Sequence, residues 1–310
     1  MRLNSFIRVT LAIMWDELLQ DILQGNVKSL ARTISLVENA VDGYQGLLER
    51  LPAYPTKIIG ITGPPGAGKS TLVDSLIGKM VEQQKKVGVL CVDPSSPFNL
   101  GALLGDRIRM SEWYNHPSVF IRSLATRGSL GGLHPKIIEI ADLMKAAGFD
   151  QVIVETVGVG QSEIEIAGLA DTTVVILVPE AGDEVQTMKA GLMEIADIFV
   201  VNKADRPDAD SFVKNLRLML APAFQRSEQA IPVLKTVASQ KEGIDILYDA
   251  ILDHQQLVQS TDKKFWLLAE KSFQLIQQYR MQDISKAALK KEWESSENTN
   301  LYQFIKKYLS

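Results

Sequence analysis

The sequence predicts an α/β fold, a doubly wound and mostly parallel sheet with an N-terminal helical hairpin and a C-terminal helical arm. Three observations carry that expectation. Short apolar runs recur at Lys57–Thr62, Val87–Asp93, Val119–Arg122, Gln151–Glu155, Thr172–Val178, Ile198–Asn202 and Ile231–Thr236. They are rich in Val and Ile and do not alternate with polar residues, as strands buried on both faces require. Helical spacing fills most of the intervals. The first run leads into a glycine-rich turn and then a helical pattern, which is the order of a strand–loop–helix unit.

The elements follow in order. Trp15, Leu18, Leu19, Ile22 and Leu23, then Val27, Leu30, Ala31, Ile34 and Val37, recur at three-and-four spacing with a break at Gly25-Asn26, so they predict two antiparallel helices. Leu51-Pro52-Ala53-Tyr54-Pro55 ends this region and sets a first boundary, residues 1–54. The sheet and its helices occupy 55–257. Beyond it, in 258–310, Phe265, Trp266, Leu268, Phe273 and Ile276, then Leu301, Phe304, Ile305, Tyr308 and Leu309, return to helical spacing around a polar break at Ser295–Asn300. Such a stripe has to be buried, against its own domain or against a second subunit.

Composition narrows the function classes. The 310 residues are 46% hydrophobic and 23% charged, with 33 Lys and Arg against 37 Asp and Glu, the profile of a globular chain. No apolar run approaches the roughly 20 residues that cross a bilayer. The net charge of −4 argues against a broad nucleic-acid or anionic-membrane surface. Cys91 is the one cysteine, so an internal disulfide and a Cys-rich metal site are both excluded. The first fifteen residues lack a signal-peptide cleavage pattern. Together these predict a cytoplasmic protein.

After the first strand stand Gly63, Pro64, Pro65, Gly66, Ala67, Gly68, Lys69, Ser70 and Thr71, the spacing G-x-x-x-x-G-K-[ST] of a phosphate-binding P-loop. Its glycines let successive backbone N–H groups face phosphate oxygens, and the helix N-terminus adds partial positive charge. Lys69 would reach the β and γ phosphates and Ser70 would ligate Mg²⁺. Strand Gln151–Glu155 ends in a carboxylate beside this loop, the place for a Mg²⁺-supporting acid, and Gly158 follows at the spacing that brings a backbone N–H to the γ phosphate. Asn202-Lys203-Ala204-Asp205 is the N-K-x-D sequence that reads guanine. The Asp205 carboxylate accepts from N1–H and the exocyclic amine of guanine, a donor pair that adenine lacks. Lys203 would lie along the base and Asn202 would brace the loop. After the last strand, Ala238 is a candidate to offer its N–H to the guanine oxygen. Val159 stands where many regulatory GTPases carry a water-orienting Gln, with Gln161 the nearest amide, so slow intrinsic hydrolysis accelerated by a partner is expected.

Longer blocks carry a family likeness. Val92–Phe98, Gly101–Met110, Arg127–Leu133, Glu155–Glu163 and Glu180–Gly191 together resemble the MeaB/ArgK family of P-loop GTPases over about residues 15 to 255. The resemblance implies a homodimeric, metallochaperone-like G protein that uses GTP/GDP and Mg²⁺. Such a protein gates cofactor loading into an adenosylcobalamin-dependent acyl-CoA mutase, usually methylmalonyl-CoA mutase, and protects that mutase from inactivation. It also implies Asp93 and Asp106 near Mg²⁺, and Gln186 and Lys189 in partner-stimulated catalysis. Three rival readings stand beside it. Nickel-insertion GTPases share the fold but need Cys and His ligands, whereas His116, His134 and His254 are scattered here. An ATP-dependent kinase of transport proteins conflicts with Asp205. A nucleotide-dependent interaction switch would use the same residues without needing turnover. Asp205→Ala is expected to weaken GTP binding roughly 100-fold and to leave weak ATP binding unchanged, as measured by nucleotide titration calorimetry.

Overall fold

The computed structural model describes residues 2–93, 110–126, 133–158, 165–181, 195–224, 231–258, 263–281, 283–296 and 300–308. Its contacts divide the chain into two compact units, Met1–Lys264 and Phe265–Ser310.

The first unit opens with α1 (Arg2–Leu23), α2 (Val27–Glu38) and a short α3 (Tyr44–Leu48). Gly25 takes a left-handed φ of 78°. This lets its N–H and that of Asn26 close back on Ile22 and Asp21, a glycine helix stop. Asn26 then caps α2, its side chain accepting from Lys28 and Ser29 at 3.0 and 3.2 Å. Leu30, Ile34 and Val37 are fully buried, as the predicted stripe requires. These helices pack on α5 (Ile137–Ala146). Arg122 donates to Ser35 of α2 at 3.0 Å and pairs with Glu38, while Lys136 bridges Tyr44 and Glu139, at 2.9 Å to each. The predicted hairpin is thus three helices, joined to the sheet in one unit.

The strands are β1 (Lys57–Thr62), β2 (Val87–Asp93), β3 (Val119–Ala125), β4 (Gln151–Glu155), β5 (Thr172–Leu177), β6 (Ile198–Val201) and β7 (Val233–Lys235). They form one sheet in the order β3-β2-β4-β1-β5-β6-β7, and every pair is parallel. The expected mostly parallel sheet is therefore wholly parallel among the described strands. β7 is shorter than the run Ile231–Thr236 because Pro232, just before it, has no N–H for the ladder.

Successive residues of each strand face opposite layers. Ile59, Ile61, Val87, Val89, Val174, Ile176 and Val200 pack with α4 (Lys69–Glu82) and α8 (Ile244–Val258). On the other face, α7 (Ala209–Phe224) covers Val175, Leu177, Phe199 and Val201. α6 (Glu165–Leu169) lies against β1, where a Cβ added to Gly60 would stand 2.5 Å from Ile166 and 2.9 Å from Ala170. At the N-terminal ends of the strands, His254 of α8 bonds Thr172 at 2.9 Å and Asp197 at 3.2 Å, and Gln255 pairs with Gln151. At the sheet margin, Arg217 of α7 donates to the Val233 carbonyl at 3.0 Å and Lys235 pairs with Asp210 at 2.8 Å.

The second unit contains α9 (Lys263–Arg280), which begins just before its boundary, α10 (Lys286–Ser295) and α11 (Leu301–Ile305). Trp293 stacks on Phe304 at 4.3 Å, and Lys307 lies over the same ring at 4.4 Å. Phe265, Trp266, Phe273 and Ile276 of α9 are exposed. Gly60→Val is expected to lower the unfolding free energy by about 1–3 kcal/mol through overpacking against α6, read as a shift in the urea midpoint.

Candidate functional site: a guanine nucleotide cradle

β1 lies between β4 and β5, and the chain then builds to one side (β2, β3) before returning across it to β5, β6 and β7. Ligands of open α/β sheets bind outside the carboxyl ends of strands at such a reversal. The predicted site residues leave β1, β2, β4, β6 and β7 at that end.

The phosphate loop takes its shape from steric limits. Gly63 has φ of 140°, and a Cβ there would stand 2.2 Å from the Ile176 carbonyl oxygen of β5. Gly68, at φ 92°, is the N-cap of α4 and offers no side-chain cap to the helix. A helix N-terminus that follows a glycine-rich turn in this way suits an anion. Ala67 is buried, Pro64 and Gly68 are half-buried, and Pro65 and Gly66 form the exposed crest. Lys69 is buried inside the loop, with Nζ donating to the carbonyls of Gly63 at 2.9 Å and Pro64 at 3.2 Å. Thr71 lies half-buried in the first turn of α4.

Two hard oxygen donors meet below the loop. The Ser70 hydroxyl donates to Glu155 Oε1 at 2.7 Å, and both residues are buried. Asp93 ends β2 on the adjoining strand, two residues beyond Cys91, whose Cα pairs with that of Glu155. The set Ser70, Glu155 and Asp93 suits a hard divalent cation, which prefers oxygen ligands. Gly158, at φ 82°, closes this side: a Cβ there would stand 2.1 Å from Lys69 Nζ and 2.6 Å from the Gly63 carbonyl oxygen. Only glycine fits that approach.

The base end is braced by Asn202, which follows β6. Its Nδ2 donates to the Ala67 carbonyl at 2.9 Å, while Oδ1 accepts from the Thr236 hydroxyl and the Ala238 N–H, each at 3.1 Å. One buried amide thus joins the phosphate loop to the loop after β7. The Ala238 N–H thereby donates to this brace. Lys203, at φ 57°, donates to the Gly66 carbonyl at 2.8 Å and spans the crest. Asp205, two residues beyond Lys203, is exposed. Gln161, Gln186, Lys189 and Asp106 lie outside the described residues.

Several contributors carry no sequence motif. Ser75 of α4 donates to the Ala238 carbonyl at 2.8 Å, tying the phosphate helix to the base loop. The Thr156 hydroxyl donates to that of Thr62 at 3.0 Å. Burial pushes the Asp74 carboxyl up, against the lowering effect of the Trp113 indole N–H that donates to it at 2.8 Å. Burial likewise raises Glu165 at the start of α6. His116 and His134 each accept a backbone N–H, from Ser118 at 3.3 Å and Lys136 at 3.0 Å, as loop-forming residues before proline.

The profile of the family described as methylmalonyl Co-A mutase-associated GTPase MeaB matches residues 30–293. The chain belongs to the MeaB family. This MeaB-family chain is a GTPase. A Pyrococcus abyssi protein named by inference as a GTPase is 48% identical over 257 residues, 81% of this chain and 79% of that protein. A fused isobutyryl-CoA mutase of Geobacillus kaustophilus is 35% identical over 261 residues, 79% of this chain but 24% of the mutase polypeptide. Among solved structures, a LAO/AO transport system kinase superimposes with a TM-score of 0.65 at 30% identity, covering 87% of this chain and 83% of its own.

Asn202→Ala leaves the Ala67 carbonyl, the Thr236 hydroxyl and the Ala238 N–H without this partner. At about 1–3 kcal/mol for a buried group left unsatisfied, this substitution is expected to weaken GDP and GTP alike by at least roughly tenfold, read by nucleotide titration.

Proposed function

We propose that this MeaB-family GTPase serves an adenosylcobalamin-dependent acyl-CoA mutase, gating cofactor loading and protecting the mutase by a cycle of GTP binding and hydrolysis. The observation that carries the reading is the joining of a homologous GTPase segment to isobutyryl-CoA mutase in one polypeptide, since fusion keeps two activities at high effective concentration. The family's own description, mutase-associated, supports the same reading. The transport system kinase shares the fold and 30% identity, but a nucleotide site carrying Asp205 favours guanine over the ATP that the kinase reading needs.

In this reading the loop N–H groups and Lys69 hold the phosphates, and Asp205, with Lys203 and Asn202, reads the base. Ser70 and Glu155, with Asp93, would hold Mg²⁺. Mg²⁺, when bound, supplies charge neutralisation across the β and γ phosphates. Glu155 orients the Ser70 hydroxyl toward that position. Lys189 supplies further charge to the β–γ oxygens in the activated complex, and Gln186 and Gln161 take part in the partner-stimulated step. Hydrolysis is slow until the mutase completes the site.

The exposed aromatic face of α9, with Phe265, Trp266 and Phe273, supports a homodimer in which a second copy covers it. No described helix is long and apolar enough to cross a membrane. We place the protein in the cytoplasm, acting on a protein partner rather than on nucleic acid or membrane.

The test is GTP hydrolysis by the purified protein alone and with the adenosylcobalamin-dependent mutase of the same source. The mutase is expected to raise turnover at least roughly tenfold, the lower range of gains from completing a catalytic site in trans. Lys69→Ala should abolish both rates. A GTPase that neither binds nor responds to the mutase with any nucleotide refutes the partner and leaves the nucleotide site intact.

A further inference from the structure

The hydroxyl pair Thr62–Thr156 stands between the two segments that meet the terminal phosphate. Thr62 is the last residue of β1 and immediately precedes Gly63, where the phosphate loop begins. Thr156 follows Glu155, the last residue of β4, and lies two residues before Gly158. β1 and β4 are parallel neighbours with Ile61 opposite Glu155, and the Thr156 N–H continues the ladder to the Ile61 carbonyl at 3.0 Å. Beyond that bond, the Thr156 hydroxyl donates to Thr62 Oγ1 at 3.0 Å, and both side chains are buried. It is therefore a side-chain tie at the point where the two strands release their loops.

What lies beyond the tie is tightly fitted. A Cβ on Gly158 would stand 2.1 Å from Lys69 Nζ and 2.6 Å from the Gly63 carbonyl oxygen. That oxygen accepts from Lys69 Nζ at 2.9 Å. Gly158, Gly63 and Lys69 thus form one contact whose spacing is set by how far β4 stands from β1 at their ends. On the nucleotide reading proposed above, on which this inference rests, the diphosphate would lie on the loop and α4, and a γ phosphate would enter between Lys69 and Gly158.

We propose that Thr62 and Thr156 are positioning residues for the triphosphate. Their hydrogen bond fixes the gap between the phosphate loop and Gly158, and this gap discriminates GTP from GDP. A threonine is suited to each place because its β-branch fits the strand end while its hydroxyl makes the tie. Two valines would keep shape and burial, and would remove both hydroxyls together so that neither is left facing an apolar partner.

The experiment compares the wild-type protein with Thr62→Val/Thr156→Val and with Thr62→Ser/Thr156→Ser, each checked for an intact fold by its thermal melt. The readouts are affinity for GDP, affinity for a non-hydrolysable GTP analogue, and kcat and KM for GTP. The double valine variant is expected to lose roughly 10- to 100-fold in kcat/KM and in analogue affinity, the scale of an ångström misplacement, while GDP affinity holds within about twofold. The serine pair, which keeps both hydroxyls, is expected to retain near wild-type discrimination. Equal losses for GDP and the analogue, or no loss for either, overturn the proposal. If the double variant melts early, the single Thr62→Val protein is read for the same analogue-to-GDP ratio, and an unchanged ratio there overturns it as well.

Discussion

The site depends on a steric constraint where β1 leaves the sheet. Gly63 turns away from β1 against the backbone of β5, so closely that a methyl group there would overlap the Ile176 carbonyl oxygen. Because β1 is held by β4 on one side and β5 on the other, the turn cannot relax sideways. The loop has one way to go, and it delivers Lys69 and Ser70 to the first turn of α4. The fully buried strands of the centre supply the stiffness, since close-packed interiors transmit small displacements instead of absorbing them.

Around that turn, the polar contacts converge from different elements. Ser70 meets the end of β4 at Glu155, Asn202 brings the ends of β6 and β7 to the loop, and Ser75 returns α4 to the base loop. Each is buried, so the loss of one partner costs more than a surface bond would. Among its contacts, the Lys69 ammonium donates to the Gly63 and Pro64 carbonyls of the loop. A phosphate oxygen is a stronger acceptor for an ammonium than a neutral carbonyl is.

Much of this was legible in the sequence because the relevant physics is local. Strands buried on both faces lose polar alternation, so β1, β2 and β4 match their apolar runs residue for residue. The phosphate loop and the Asn202–Asp205 sequence carry their spacing in consecutive residues. What was not legible depends on partners far along the chain. α3 is only five residues with Gly46 inside it, too short for periodicity to reveal. β7 is cut short by one proline. The direction of the Ala238 N–H is set by Asn202, 36 residues earlier, and the Thr62–Thr156 pair joins residues 94 apart in two unremarkable strand ends. Asp93 could be placed beside Glu155 only once β2 was known to lie next to β4.

The margin at β7 has a consequence for how the protein behaves in a crowded solution. An open strand offers its backbone to any other strand and so invites fibrous or edge-to-edge association. Here the strand is three residues long, its Val233 carbonyl is stoppered by the Arg217 guanidinium, and Lys235 carries charge at the rim. A stranger's strand would have to displace an arginine and desolvate a lysine to add to this sheet. This margin of the sheet is thereby guarded against the addition of a foreign strand.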